Sequence, residues 1–102
     1  MEHEMAAASL AELGNSHRLA VFRFLVKAGH QGALVGEIQK ALDIPGSTLS
    51  HHLARMAKVG LIRQEKHSRT IACIPDFQHL QDLINFLQAE CCVGNINESR
   101  ND

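Results

Sequence analysis

Nowhere do the 102 residues contain an apolar run near membrane-spanning length, and the opening Met1-Glu2-His3-Glu4 carries two acids with no apolar stretch behind it. Neither a signal peptide nor a transmembrane helix is therefore expected, and the chain is expected to be cytoplasmic with no membrane partner. Proline-rich and Gly/Ser-rich linkers are also missing, which predicts one domain over 1–94 and a polar tail over 95–102 that is expected to be disordered. Cysteine is scarce, with only Cys73, Cys91 and Cys92. An odd number in a reducing compartment argues against a disulfide framework and leaves reactive, ligating or buried thiols. A Cys-x-x-Cys motif and a strand-loop-helix anion cradle are both absent, and so small a domain has little room for a cleft within its own core, so no enzymatic activity is expected.

Strong net charge is lacking as well. The formal value of -1 gives no support to nucleic-acid binding until its distribution is examined. Between 51 and 70 stand Arg55, Lys58, Arg63, Lys66 and Arg69 against Glu65 alone, whereas 76–102 holds Asp76, Asp82, Glu90, Glu98 and Asp102 against Arg100 alone. Phosphate contacts need local positive potential rather than a basic whole, and a dimer doubles the patch.

That basic run begins on a segment with clear periodicity. Leu49, Leu53 and Met56 recur at i, i+4 and i+7 as one apolar stripe, while Ser47, Thr48, Ser50, His51, Arg55 and Lys58 crowd the opposite face. Gly60 ends this helix. Leu61 to Ile74 then has strand character at both ends around Glu65-Lys66-His67-Ser68-Arg69, which predicts a hairpin with a basic tip. Upstream, a first helix is expected near Met5 to Leu13. A second is capped by Asn15 or Ser16, buries Leu19, Phe22 and Leu25, and stops at Gly29. A third runs from Val35 to Leu42 with Leu34, Ile38, Ala41 and Leu42 inward, and Asp43-Ile44-Pro45-Gly46 turns into the periodic helix at helix-turn-helix spacing. After Pro75, Asp76 caps a last helix to about Cys92, with Leu80, Ile84, Leu87 and Cys91 as its stripe, widened by Phe77 and Leu83. The expected fold is mainly α with a small β-hairpin, a winged helix-turn-helix of four helices, hairpin and fifth helix.

Ser47-Thr48-Leu49-Ser50-His51-His52-Leu53, followed by Gly60-Leu61-Ile62 and a short basic wing, closely resembles the recognition helix and wing of the ArsR/SmtB family, small dimeric bacterial repressors that leave DNA on binding a metal or metalloid. Gly14-Asn15-Ser16-His17-Arg18-Leu19 resembles the lead-in to that family's second helix, and Ala89-Glu90-Cys91-Cys92 resembles the helix end of its arsenic-responsive members. The likeness spans residues 8 to 94. It implies a homodimer paired through the first and last helices and a double-stranded operator DNA as partner. Ser47, Thr48, Ser50 and His51 are then the expected groove-reading residues, Arg55 a phosphate contact, and Lys66 and Arg69 contacts to the flanking backbone or minor groove. His52 points about a quarter-turn away and is as well placed to pack as to touch DNA. Pro45 and Gly46 stand where members often carry Ser and Gln, so the operator sequence is not carried over.

The family's inducer sites can be tested against these residues. Its Cys-x-Cys arsenic site falls on Leu34 and Gly36, and its zinc site needs a spacing that Asp76 and His79 lack, with no histidine between Gln81 and Cys92. Cys91 and Cys92 remain, and soft trivalent arsenic or antimony takes two or three thiolates. As(III) or Sb(III) is thus the expected inducer, with Cys73 as a candidate third ligand, although a cysteine in Ile71-Ala72-Cys73-Ile74 also reads as a small buried hydrophobe. On an intact helix adjacent side chains diverge by about 100°, so convergence of the two sulfurs is expected to require the last turn to rotate or fray. Redox or persulfide sensing, with a disulfide to Cys73 preferred over one between neighbours, and capture of Cu(I) or Cd(II) are the alternatives, as are a thiol enzyme and a protein-interaction module.

Overall fold

The computed structural model describes residues 1–94, so the expected tail over 95–102 lies outside the described residues. Five helices and three strands follow in order: α1 His3–Leu13, α2 Ser16–Ala28, β1 Ala33–Leu34, α3 Val35–Leu42, α4 Gly46–Lys58, β2 Ile62–His67, β3 Thr70–Pro75 and α5 Phe77–Gln88. This is the winged helix-turn-helix arrangement. Local chemistry sets most of the boundaries. The Asn15 side chain accepts the Arg18 N–H at 3.0 Å and starts α2, and Asp76 accepts the His79 N–H at 2.9 Å and starts α5. Asp43 closes α3 in the left-handed region at φ 53°, which swings the chain into α4. Helix α4 has no capping side chain, because Pro45 at its start offers only a carbonyl, which accepts the Leu49 N–H at 2.9 Å.

The core forms where α2, α3 and α4 meet the sheet. Leu49, Leu53 and Met56 are all but fully buried, together with Val21, Phe22, Leu25, Ile38, Ile44, Leu61, Ile62 and Cys73. Each large aliphatic side chain taken from water contributes roughly 1.5–3 kcal/mol, so the α4 stripe anchors the helix by several such increments. Two helices turn differently from expectation. Helix α2 buries Val21, Phe22 and Leu25 and leaves Leu19 at 45% exposure, because Leu19 lies on the far side of the helix from Val21. In α3 only Ile38 is fully buried, with Val35 and Leu42 packed at the margin, while Leu34 and Ala41 face outward. So short a helix meets its neighbours along one narrow strip.

The wing is more than a hairpin. β3 pairs with β2 on one side, in a register running from Ile62↔Pro75 to His67↔Thr70, and with β1 on the other through Ala33↔Cys73 and Leu34↔Ala72, giving an antiparallel sheet of order β1-β3-β2. Two residues carry no readable alternation, so this strand exists only through its pairing.

Helix α5 stops at Gln88 rather than near Cys92. Ala89 leaves the helix at ψ 137°, and Glu90 and Cys92 take left-handed φ values of 59° and 69°. Leu87 is 58% exposed and Cys91 is exposed, so within one chain a further turn would have no apolar cover to hold it. Among the described residues no helix is long and apolar enough to cross a membrane.

Candidate nucleic-acid interface and vicinal thiol site

Burial of Leu49, Leu53 and Met56 forces the opposite face of α4 outward. Ser47, Thr48, Ser50 and His51 are all exposed along its N-terminal half, as the periodicity predicts, with Lys58 exposed near its far end. His52 is 7% exposed and belongs to the interior side, which resolves its ambiguous angular position. Lys66 and Arg69 flank the wing tip, where Ser68 adopts φ 59° in a two-residue turn and the Thr70 hydroxyl donates to the His67 carbonyl at 2.9 Å. Arg63 is drawn sideways instead, donating to Glu65 at 3.0 Å. Lys66 and Arg69 form no ion pair among the described residues, so their charge faces solvent.

Arg55, expected to wait for phosphate, is already engaged. Its Nε and Nη2 donate to the two carboxylate oxygens of Glu12 in α1 at 2.8 and 3.2 Å. Glu12 also meets Arg18 Nε at 3.1 Å, while Arg18 donates to the Glu12 carbonyl at 2.7 Å and, through Nη1, to His52 Nδ1 at 3.1 Å. The hydrogen bond from Arg55, then the charges of Arg55, Arg18 and His51, hold the Glu12 carboxyl below its usual range against the opposing effect of burial. These links join α1, α2 and α4 and were not found from sequence, since Glu12 and Arg55 are 43 positions apart with no shared periodicity.

Burial foremost, followed by the charges of Arg18, His17, His51 and Arg55, lowers the pKa of His52 below the ordinary histidine value of 6.5. Unfolded His52 therefore takes up its proton at higher pH than the folded side chain does. Its contribution to stability is complete above the unfolded value and declines as pH falls through that value toward the lowered folded one. Urea midpoints measured from about pH 8 to about pH 5 should fall on the acid side, and His52→Gln, which keeps an acceptor for Arg18 but cannot titrate, should flatten that fall. Equal slopes for both proteins would show that another group controls the transition.

At the other end of the fold, Cys91 and Cys92 lie exposed in the turn after α5, joined to each other as a disulfide between adjacent residues. Two expectations are corrected. No helical turn has to fray for the sulfurs to converge, because the helix has already ended, and Cys73 lies too deep in the core to be the partner that the alternative reading offered. Cys73 is fully buried in the core, and burial raises the pKa of its thiol despite an opposing contact from Gln64. The 12 residues of α5 separate it from the pair, roughly 18 Å of helix at 1.5 Å per residue. The structure does not bring the three thiols together, and among the described residues no group of three or more His, Cys, Asp or Glu side chains is placed to hold a metal.

Helices α1 and α5 lie against each other. Ser9 Oγ and His79 Nε2 are 2.8 Å apart across this contact, with Ser9 fully buried, and the His3 and Phe86 rings lie 6.2 Å apart. Both helices leave apolar side chains uncovered, among them Met5 and Leu10 on α1 and Ile84 and Leu87 on α5.

With this geometry in place, a family model described as a helix-turn-helix domain matches residues 13–65. No curated protein matches the chain. Solved structures of the same fold do. A crystal structure of an ArsR family transcriptional regulator is 23% identical with a TM-score of 0.71, covering 81% of this chain and 88% of its own. Reduced HlyU from Vibrio cholerae is 23% identical with a TM-score of 0.63, covering 86% and 90%. A homodimeric winged helix-turn-helix DNA-binding domain from Mycobacterium bovis is 19% identical with a TM-score of 0.64, covering 97% and 88%.

Proposed function

We propose that this chain, which belongs to the helix-turn-helix domain family and has the winged fold of an ArsR family transcriptional regulator, is a DNA-binding homodimeric repressor released from its operator when trivalent arsenic or antimony is captured by Cys91 and Cys92. The observation that carries this reading is the convergence of two exposed, adjacent sulfurs at the end of α5. Reduced, they form a soft two-thiolate donor set. Capture of arsenite then forms two As–S bonds and breaks two As–O bonds, and two water molecules leave carrying the thiol protons.

Dimerisation supplies the route to DNA. The uncovered Met5, Leu10, Ile84 and Leu87 form the apolar surface that a second copy would cover, and a relative of the same fold is homodimeric. A metalloid clamped just beyond Leu87 changes the end of that surface. Helix α1, which touches both α5 and α4, passes the change to the recognition helix and so alters the separation of the two reading heads. Ser47, Thr48, Ser50 and His51 read the groove in this scheme, and Lys66 and Arg69 hold the flanking backbone. Cys73 stays a packing residue.

A second reading has its own support. The two sulfurs are in contact and exposed, so oxidation of the pair, with two electrons and two protons passed to an oxidant such as a peroxide, would drive the same surface change without a metalloid. A gel shift on the DNA upstream of the protein's own gene separates the two readings. Binding by the reduced protein that arsenite releases is the expected result. Binding that ignores arsenite but responds to oxidant would replace the metalloid reading with the redox one, and no binding at all would end both.

A further inference from the structure

Resting on the DNA-binding reading above, we propose that Glu12 is a positioning residue that competes with DNA phosphate for Arg55, so that α1 withholds one cationic contact of the recognition helix until DNA displaces the carboxylate. The competition follows from which bonds are exchangeable. Arg18 is held by the Glu12 carbonyl, the Glu12 carboxylate and His52 Nδ1, and its side chain is only 11% exposed. Arg55 has Glu12 as its one ion-pair partner among the described residues and is 48% exposed. Of the two arginines sharing the carboxylate, Arg55 is the one a ligand from solvent can take.

The geometry of the shared edge makes the choice exclusive. Glu12 occupies the Nε and Nη2 donors of Arg55, the same planar fork that grips a phosphate through two parallel hydrogen bonds. A phosphate approaching that edge meets both an occupied fork and a like charge. Beside it lies an open cleft of about 370 Å³, lined by Glu12, Arg55, Lys58 and Val59. Swung out of its bond to Glu12, Arg55 would face this cleft with Lys58, two cations on the last turns of α4 at the height of the phosphate backbone when the helix N-terminus lies in the groove. The pair is open to solvent on its arginine side, where a ligand can exchange with the carboxylate, and Arg18 remains to neutralise Glu12 when Arg55 departs. Because Glu12 projects from α1, a displacement of α1 changes how firmly Arg55 is withheld.

The test uses the full chain and a random-sequence duplex, with affinity read by fluorescence anisotropy across a salt series for wild type, Glu12→Gln, Arg55→Ala and the double variant. Glu12→Gln should bind about 3–10-fold more tightly than wild type, with a salt slope steeper by about one, since one more phosphate is neutralised. Arg55→Ala should bind more weakly with a shallower slope, and adding Glu12→Gln to it should change nothing. A gain in affinity cannot be produced by misfolding. If Glu12→Gln does not fold, Glu12→Asp, which withdraws the carboxylate by one methylene, should show the same gain to a smaller degree. Unchanged or weaker binding by the folded Glu12 variant would overturn the proposal, and so would an equal gain in the Arg55→Ala background, which would mark a general charge effect. A wild type that binds no duplex would overturn the DNA-binding reading along with it.

Discussion

Replacing Cys91 and Cys92 together by serine is expected to leave DNA affinity unchanged while abolishing release by arsenite. Both sulfurs are exposed in a turn outside every helix and strand, so serine can replace them without opening a cavity. What is lost is the soft donor set, for which a hydroxyl is no substitute. Either single substitution should already weaken the response by roughly 10²-fold or more, because the second As–S bond forms at the effective concentration set by the neighbouring residue. Cys73→Ser should leave inducer sensitivity intact and lower stability, since it sets a hydroxyl in place of a fully buried thiol. Gel shifts with an arsenite titration check all four proteins. Release that persists in the double variant would remove the pair from the mechanism.

Gly32→Ala is expected to be the most damaging single methyl group that can be added to this chain. Gly32 stands at φ 69°, and a Cβ there would overlap the Cys73 carbonyl oxygen, with the Cys73 carbonyl carbon at 2.9 Å and Ile74 Cα at 3.0 Å. Those atoms are backbone of the central strand, which is held by β2 on its other edge and cannot retreat. The cost should reach about 3–5 kcal/mol, a large part of the stability of a domain this size. Gly29 provides the control. It takes φ 91° and ψ −161°, a region almost confined to glycine, but nothing lies within 4 Å of its would-be Cβ. Gly29→Ala should therefore cost only the backbone strain, about 1–3 kcal/mol. Urea denaturation of the two variants measures the difference, and equal losses would show that Gly32 does not press on β3 as described. Because Leu34 passes directly into α3, loosening this strand should also weaken DNA binding by the protein that remains folded.

The pairing of β1 with β3 illustrates where reading from sequence stopped. The hairpin of β2 and β3 was legible because strand-forming residues flank a polar, basic tip. Ala33-Leu34 is too short to show any period, and it is a strand only because Ala33 pairs with Cys73, 40 positions later. The boundary of α5 failed for another reason. Ile84, Leu87 and Cys91 keep helical spacing, so the pattern runs past Gln88, but a pattern cannot say whether anything covers it. The same blindness affected Leu19, whose apolar side chain fits the period of α2 and yet faces away from the body of the fold. The angular position of His52 fits packing and DNA contact equally, and its burial against Arg18 decides for packing.

By itself, the sequence determined the helix-turn-helix, the outward face of Ser47, Thr48, Ser50 and His51, the basic wing and the presence of neighbouring thiols, because capping, turns and amphipathic spacing act over a few residues and can be read along the chain. Tertiary structure alone decided that Arg55 rests on Glu12, that Ser9 meets His79 from 70 positions away, that Cys73 is walled off, and that the two sulfurs converge beyond a helix that ends early. These outcomes depend on which surfaces meet once the elements pack. Charges, thiols and strand edges far apart in the chain are brought together or separated at that stage, by contacts that no local pattern records.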